Sequence, residues 1–294
     1  MGLRAVKQII PSVRTIEGGG FVVRRPFPTA DLPQVDPFLL FDHMGPIASS
    51  PGEAKGAPDH PHRGFETVTY LLQGSMQHED SAGHRGSLEA GDVQWMTAGR
   101  GVVHAEMPST ALLERGGTLE GIQLWVNLRA ADKMIAPRYQ DTPAASIPVV
   151  EEPGLRVKII AGEALGTRAV IETRTPMHYL HVQLTGRSFT QQVPEGWNAM
   201  VYVRKGRGAF GPDRVPAAEG DLLVFRNGQG DVLLEAGDAP SGDPALDALV
   251  LAGQPLHEPV ARYGTFVMNT RREILEAFED FEAGRLGRIE RDDR

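Results

Sequence analysis

The sequence predicts an all-β protein, two tandem β-sandwich domains closed by a C-terminal helix. Three observations lead there. Short β-prone runs alternate with turns, two groups of them recur about 130 residues apart, and only the end of the chain changes to helical periodicity. The 34 Gly and 22 Pro are scattered rather than clustered, which makes many turns instead of one disordered tract.

The strands can be taken in order. Gly18-Gly19-Gly20 turns between alternating segments, and residues 37–41 are an apolar run. Residues 67–72 are β-prone and stop at Gly74. Residues 92–96 follow Gly91, and residues 121–126 read as another buried strand. Four prolines (137, 143, 148 and 153) then mark residues 136–154 as an inter-domain crossover. Beyond it, Tyr202-Val203-Arg204-Lys205-Gly206 echoes Tyr70-Leu71-Leu72-Gln73-Gly74, and Ala218-Glu219-Gly220-Asp221-Leu222 echoes Glu89-Ala90-Gly91-Asp92-Val93. The expected division is an N-terminal domain over 1–135, the crossover, and a C-terminal domain over 155–294. Thr270-Arg271-Arg272-Glu273 fits a capping box that opens a helix over about 271–284. Ile274, Leu275, Phe278 and Phe281 form its packing stripe, and Gly284 stops it.

The 294 residues carry a formal charge of −8, which argues against direct nucleic-acid binding, where Lys and Arg must neutralise phosphates. There is no cysteine, so any metal site must use His, Asp and Glu. The N-terminal MGLRAVKQII lacks the apolar stretch of a signal peptide, and no run is long enough to cross a membrane. A soluble, cytoplasmic protein is the expectation.

Nine histidines are present, and two pairings stand out: His60-Pro61-His62 and His104-Ala105-Glu106. In a β-strand, residues i and i+2 point to one face with Cα atoms about 6.6–7 Å apart. Two such pairs on facing strands can place four side chains around one ion. On a helix the same spacing would make them diverge. Glu66 competes with Glu106 as the carboxylate, since it would share a face with His62 in a regular strand. Gly64 between them is a natural place for a bend, and spacing alone leaves the two glutamates even. His43 is a candidate to hold a ligand by hydrogen bonding. His78 and His84 read as solvated hairpin residues. Arg63 and Arg100 read either as anion attractors or as partners for Glu66 and Glu106. The basic run 204–208 reads as a hairpin.

Residues 59–108, DHPHRGFETVTYLLQGSMQHEDSAGHRGSLEAGDVQWMTAGRGVVHAEMP, resemble the metal-binding core of the pirins, a branch of the cupin superfamily. The resemblance continues in FDHMGP at 41–46 and in PLHEPVARYGTFVMNTRREILEAFEDFEAGRLG at 255–287, so it reaches both halves of the chain. Seven residues between Glu66 and Gly74, and four between Gly99 and His104, depart from the general cupin pattern in the way pirins do. The resemblance implies two jelly-roll-like cupin domains and one metal, in the first. Its ligands would be His60, His62, His104 and Glu106, which favours Glu106 over Glu66; Glu66 and His43 are then candidates for outer contacts. In the second domain His178 and His181 are spaced i, i+3, on opposite strand faces, so a second metal is not expected.

Three neutral imidazoles and a carboxylate leave open positions on a divalent ion, an arrangement suited to substrate and O2. The implied activity is flavonol 2,3-dioxygenation: an aromatic, enolic substrate such as quercetin is ring-opened with release of carbon monoxide. Fe(II) is the expected ion, and Mn, Ni, Cu or Zn would suit the same donors. Glu106 is the expected catalytic base. The alternative from the same resemblance is a non-enzymatic, iron-dependent redox sensor that binds a transcription factor or metabolic enzyme. A monomer is implied in either case.

Overall fold

The β-prone runs of the first half all form strands in the computed structural model, which describes residues 2–239 and 244–291. The first half runs β1 (Val6–Pro11), β2 (Val13–Glu17), β3 (Phe21–Phe27), β4 (Phe38–Ser49), β5 (Ala57–His62), β6 (Phe65–Gln73), β7 (Ser75–Asp80), β8 (Arg85–Glu89), β9 (Val93–Thr97), β10 (Val102–Pro108), α1 (Thr110–Arg115), β11 (Gly117–Asn127) and β12 (Arg138–Thr142). The second runs β13 (Val149–Glu152), β14 (Leu155–Ala161), β15 (Glu163–Ala164), β16 (Thr167–Arg168), β17 (Met177–Leu184), β18 (Ser188–Gln191), β19 (Asn198–Phe210), β20 (Val215–Ala218), β21 (Asp221–Phe225), β22 (Val232–Glu235) and β23 (Leu246–Gly253). A tail of β24 (Ala261–Tyr263), β25 (Phe266–Met268) and α2 (Arg271–Glu282) ends the chain. No described helix is long and apolar enough to cross a membrane.

The chain divides into two compact units, each assembled from separate segments. One comprises Arg14–Arg25, Phe38–Ala144 and Leu256–Arg294. Its seven-stranded sheet has the order β12-β9-β6-β11-β4-β3-β2, and its four-stranded sheet the order β5-β10-β7-β8. The other comprises Met1–Val13, Pro26–Pro37 and Ala145–Pro255, with a main sheet ordered β1-β21-β19-β23-β17-β14-β13.

This differs from the contiguous division at 135 and 155. The N-terminal strand β1 pairs antiparallel with β21 of the second unit, and the C-terminal helix belongs to the first. Residues 136–154 are not a bare crossover either. Pro137 and Pro143 bracket β12, which pairs with β9, and Pro148 and Pro153 bracket β13, which pairs with β14. Proline punctuates edge strands as readily as linkers.

The internal repeat survives to the level of single hydrogen bonds. Gly74 and Gly206 both take a left-handed φ, of 84° and 80°. The Gly91 amide donates to Leu71 O at 2.7 Å, and its counterpart Gly220 to Val203 O at 2.8 Å. Asp92 accepts from the Glu89 amide at 2.8 Å, as Asp221 does from the Ala218 amide at 2.9 Å. Arg204-Lys205-Gly206 is therefore the bulged middle of the long strand β19, not a hairpin.

Helix α2 opens as expected, with both halves of the Thr270–Glu273 capping box formed. Its buried face is Ile274 and Ala277 with Phe278 against them, packed on Phe266, Met268 and Val103. Leu275 is 64% exposed instead of lying on that face, because one residue of offset turns a side chain about 100° around the axis. Phe281, 39% exposed, lies at the edge of the same stripe.

Two consequences for stability follow from these contacts. Asp247 is fully buried and accepts from Arg204 at 2.7 and 2.6 Å, from His181 at 2.9 Å and from Gln183 at 2.8 Å. Burial alone would push its carboxyl up, but His181 and Arg204 more than offset this and hold it well below the usual carboxylate range. A carboxyl depressed in the folded state stabilises above its unfolded pKa of about 3.9 and loses that contribution as pH falls through and below it. Asp247→Ala should cost about 3–5 kcal/mol in urea unfolding at pH 7, and the difference from wild type should shrink as pH drops below about 4. Gly64 has φ 89°, and a Cβ there would run into the Val267 carbonyl. Gly64→Ala should cost at least about 1–2 kcal/mol by the same measurement.

Candidate metal centre

Strand β5 ends on His60-Pro61-His62, and β10 lies antiparallel beside it, with His104 opposite His60 and Val102 opposite His62. The i, i+2 spacing turns His60 and His62 to one face. The three rings close into a triangle whose centroids are 4.4, 4.6 and 4.7 Å apart. His62 and His104 are buried, and His60 is half-buried at the edge. Donor atoms of the three all lie within 4.8 Å of one another.

The state of the rings suits a metal. His60 Nδ1 meets the Pro58 carbonyl at 2.7 Å, which places its proton there and leaves Nε2 as a lone pair. That Nε2 faces His104 Nε2 at 3.0 Å. Two nitrogens each about 2.1 Å from one ion and at right angles around it would be about 3.0 Å apart. Both His62 nitrogens and His104 Nδ1 are buried without a hydrogen-bond partner. Such orphans cost about 1–3 kcal/mol each, and an ion would relieve those that face it. Burial drives His62 and His104 well below the usual imidazole range, and the neighbouring histidines add to this. Neutral imidazole is the ligating form.

Glu106 follows His104 by two residues on β10 and lines the same cavity as His60 and His62. Its carboxylate lies outside the three-histidine group. Thr69 Oγ1 donates to Oε1 at 2.7 Å, and Gln123 Nε2 approaches Oε2 at 3.4 Å. Glu66 and His43 point elsewhere. Phe65 and Thr69 share the face of β6 that reaches His62 and Glu106, so Glu66 is on the opposite face, where it accepts from Thr97 Oγ1 at 2.6 Å. On β4, Asp42 is paired with Gln123 on the cavity side; His43 is turned the other way and meets Glu120 at 2.9 Å.

The flanking residues differ from expectation too. His78 is buried, not solvated; it stacks on Tyr139 at 5.3 Å and meets Asp141 at 3.2 Å, while His84 is half exposed and pairs with Asp80. Arg63 pairs with neither glutamate. It donates to the Arg100 carbonyl at 2.6 Å and bridges Asp280 of α2 at 2.8 Å, while the Arg100 side chain is exposed.

A cavity of about 520 Å³ opens onto His60 and His62. Its walls are apolar at Phe21, Leu40, Met44 and Met76 and polar at Arg25, Asp42, Gln123 and Arg262, with Trp125 between. Burial pushes the Asp42 carboxyl up to about 6, although Arg25 holds both its oxygens. None of Thr69, Gln123, Asp42, Trp125 or Arg262 stands out in the sequence. The one available signal is Thr69 and Gln123, polar positions inside otherwise apolar strands.

Comparison with known proteins places this geometry. Residues 20–126 match the pirin family, and residues 179–287 match the pirin C-terminal cupin domain. A pirin-like protein of Solanum lycopersicum is 44% identical over 284 residues, 96% of this chain and 92% of its own. Pirin of Homo sapiens is 44% identical over 274 residues, 92% and 90% of the two chains. Among solved structures, a quercetin 2,3-dioxygenase from Acinetobacter baumannii superposes with a TM-score of 0.89 at 36% identity, covering 99% of this chain and all of the other. The likeness extends through both halves and nearly the full length of each relative, and the chain belongs to the pirin family.

Proposed function

We propose that the cavity binds a flavonol such as quercetin, and that the reaction is its O2-dependent ring opening with release of carbon monoxide. The observation that carries this reading is the convergence of three imidazoles, His62 and His104 buried with unpartnered nitrogens, beside a cavity lined by His60, His62 and several apolar side chains. The name of the Acinetobacter relative supports the substrate class.

In this reading His60, His62, His104 and Glu106 hold the metal, Fe(II) first among the divalent ions their donors suit. When bound, the ion supplies Lewis acidity toward the enolic hydroxyl and a redox partner for O2. The protein's own part can be followed atom by atom. His60 is oriented by the Pro58 carbonyl, so its lone pair faces inward. Glu106 is the base. Thr69 anchors its Oε1, and the weakly held Oε2 is the atom free to take the hydroxyl proton. Trp125, Leu40, Met44 and Met76 exclude water from the electron-rich ring. A cavity of about 520 Å³ is within the range of small-molecule sites.

His104→Ala should lose bound metal and flavonol turnover together, by about 100-fold or more in turnover, with the thermal unfolding transition retained. Metal content by elemental analysis and loss of quercetin absorbance after anaerobic Fe(II) loading measure the two. Full metal and activity in this variant would remove His104 from the ligand set. Iron-loaded wild-type protein that leaves quercetin intact would overturn the dioxygenase reading in favour of a redox-sensing regulator.

A further inference from the structure

The charged residues lining the cavity are committed to different degrees. Arg25 is saturated: Nε and Nη2 donate to the two oxygens of Asp42 at 2.7 and 2.6 Å, and Nη2 also meets Glu17 at 2.5 Å. Asp59 is held by Arg291 at 2.5 and 3.1 Å. Arg262, delivered by β24, has no carboxylate partner among the described residues. Its donors make only two long bonds, to Leu39 O at 3.3 Å and Gly264 O at 3.4 Å. Its guanidinium lies over the Trp125 ring at 4.7 Å, and that ring is 5.4 Å from His62. Lys55 adds a second exposed cation to the rim.

We propose that Arg262 is a specificity-determining residue for an anionic group at the far end of the substrate. The site then prefers aromatic, enolic compounds that carry a carboxylate away from the ring-opening end over their neutral counterparts. This rests on the reading of an enolic group bound at the histidines. The reasoning is physical. A guanidinium presents a planar fork that fits a carboxylate with two parallel hydrogen bonds. Stacking on Trp125 fixes the plane of that fork before the ligand arrives, which lowers the cost of ordering it. Asp42 and Glu17 both hold Arg25, so Arg262 and Lys55 are the cations at the mouth that no carboxylate bonds among the described residues. Arg262 is exposed, so water moderates the effect to about 10-fold in affinity.

The test uses two matched probes, 3-hydroxyflavone and its 4′-carboxylate, with Zn(II)-loaded protein so that O2 chemistry is silent. Binding is read as quenching of tryptophan fluorescence, with Trp125→Phe identifying the signal from the cavity. Wild type should bind the carboxylate about 10-fold more tightly than the parent. Arg262→Gln should abolish that preference, weakening the carboxylate about 10-fold more than the parent, and Arg262→Lys should restore part of it. Equal affinities in wild type, or a substitution that weakens both probes alike, would overturn the proposal. Turnover of 3-hydroxyflavone by the Fe(II)-loaded protein separates the two readings. Turnover without charge preference sinks the role of Arg262 alone; charge-dependent binding without turnover sinks the dioxygenase alone.

Discussion

The corner His62-Arg63-Gly64 is the constraint on which the site depends. It ends one strand of the four-stranded sheet and starts one of the seven-stranded sheet, so it must turn sharply while holding His62 toward the other histidines. The backbone groups of Arg63 and Gly64 all have partners. The Arg63 amide and carbonyl bond Thr265 O and the Val267 amide at 3.4 and 3.0 Å. The Gly64 amide donates to Gly99 O at 2.8 Å, and the Gly64 carbonyl accepts from Lys133 Nζ at 2.7 Å. Lys133 is itself fully buried and saturated, with Asn127 and Val267 O as its other acceptors at 2.7 and 3.0 Å. Gly99 and Arg100, which precede His104, are thereby tied directly to the residues that follow His62. Two histidine-bearing segments distant in sequence are tied into one piece, and fixed donors are what a metal site needs.

The same corner explains why the C-terminal tail belongs to the histidine-bearing unit. Strand β25 and Thr265 just before it supply the backbone partners of Arg63, and α2 supplies Asp280 to its guanidinium. The apolar side of the tail packs on Val103, next to His104. Composition gives no hint of this, because the hydrophobic stripe of a helix says only that it packs, not on what. The helix itself was legible down to its capping residues. Its destination required the fold, as did that of β1, an ordinary strand whose partner, β21, lies more than two hundred residues along the chain.

The grouping of the three histidines was legible for a reason that also sets the limit of legibility. Alternation along a strand is local, so HPH and HAE declare that their members share a face. Which face of a strand meets the cavity is a sheet-level property. Glu66 lies four residues beyond His62, yet the Gly64 turn moves it into a different sheet, and parity counted from His62 no longer applies. His43 and Asp42 are neighbours, and only the register of β4 against β11 shows that Asp42, beside Gln123, has the cavity side. Thr69, Gln123, Trp125 and Arg262 come from three separate strands. Their convergence has no counterpart in the order of residues.

The two units also show how buried polar groups divide between structure and chemistry. In the second unit His178 and His181 lie on opposite faces of β17. His181 is satisfied by Asp247, and His178 accepts from the Glu163 amide at 3.2 Å beside Trp197. Asp247, Arg204 and Gln183 complete a closed network in which each charge meets its complement. In the first unit the corresponding depth of the sandwich holds imidazole nitrogens aimed at one another, with several left unbonded. An arrangement of that kind is destabilising on its own, since buried orphans lose their hydration without gaining a partner. Two copies of one architecture therefore use their interior histidines in opposite ways. One internalises its charges and gains stability; the other leaves donor atoms unsatisfied, at a cost a bound cation would offset.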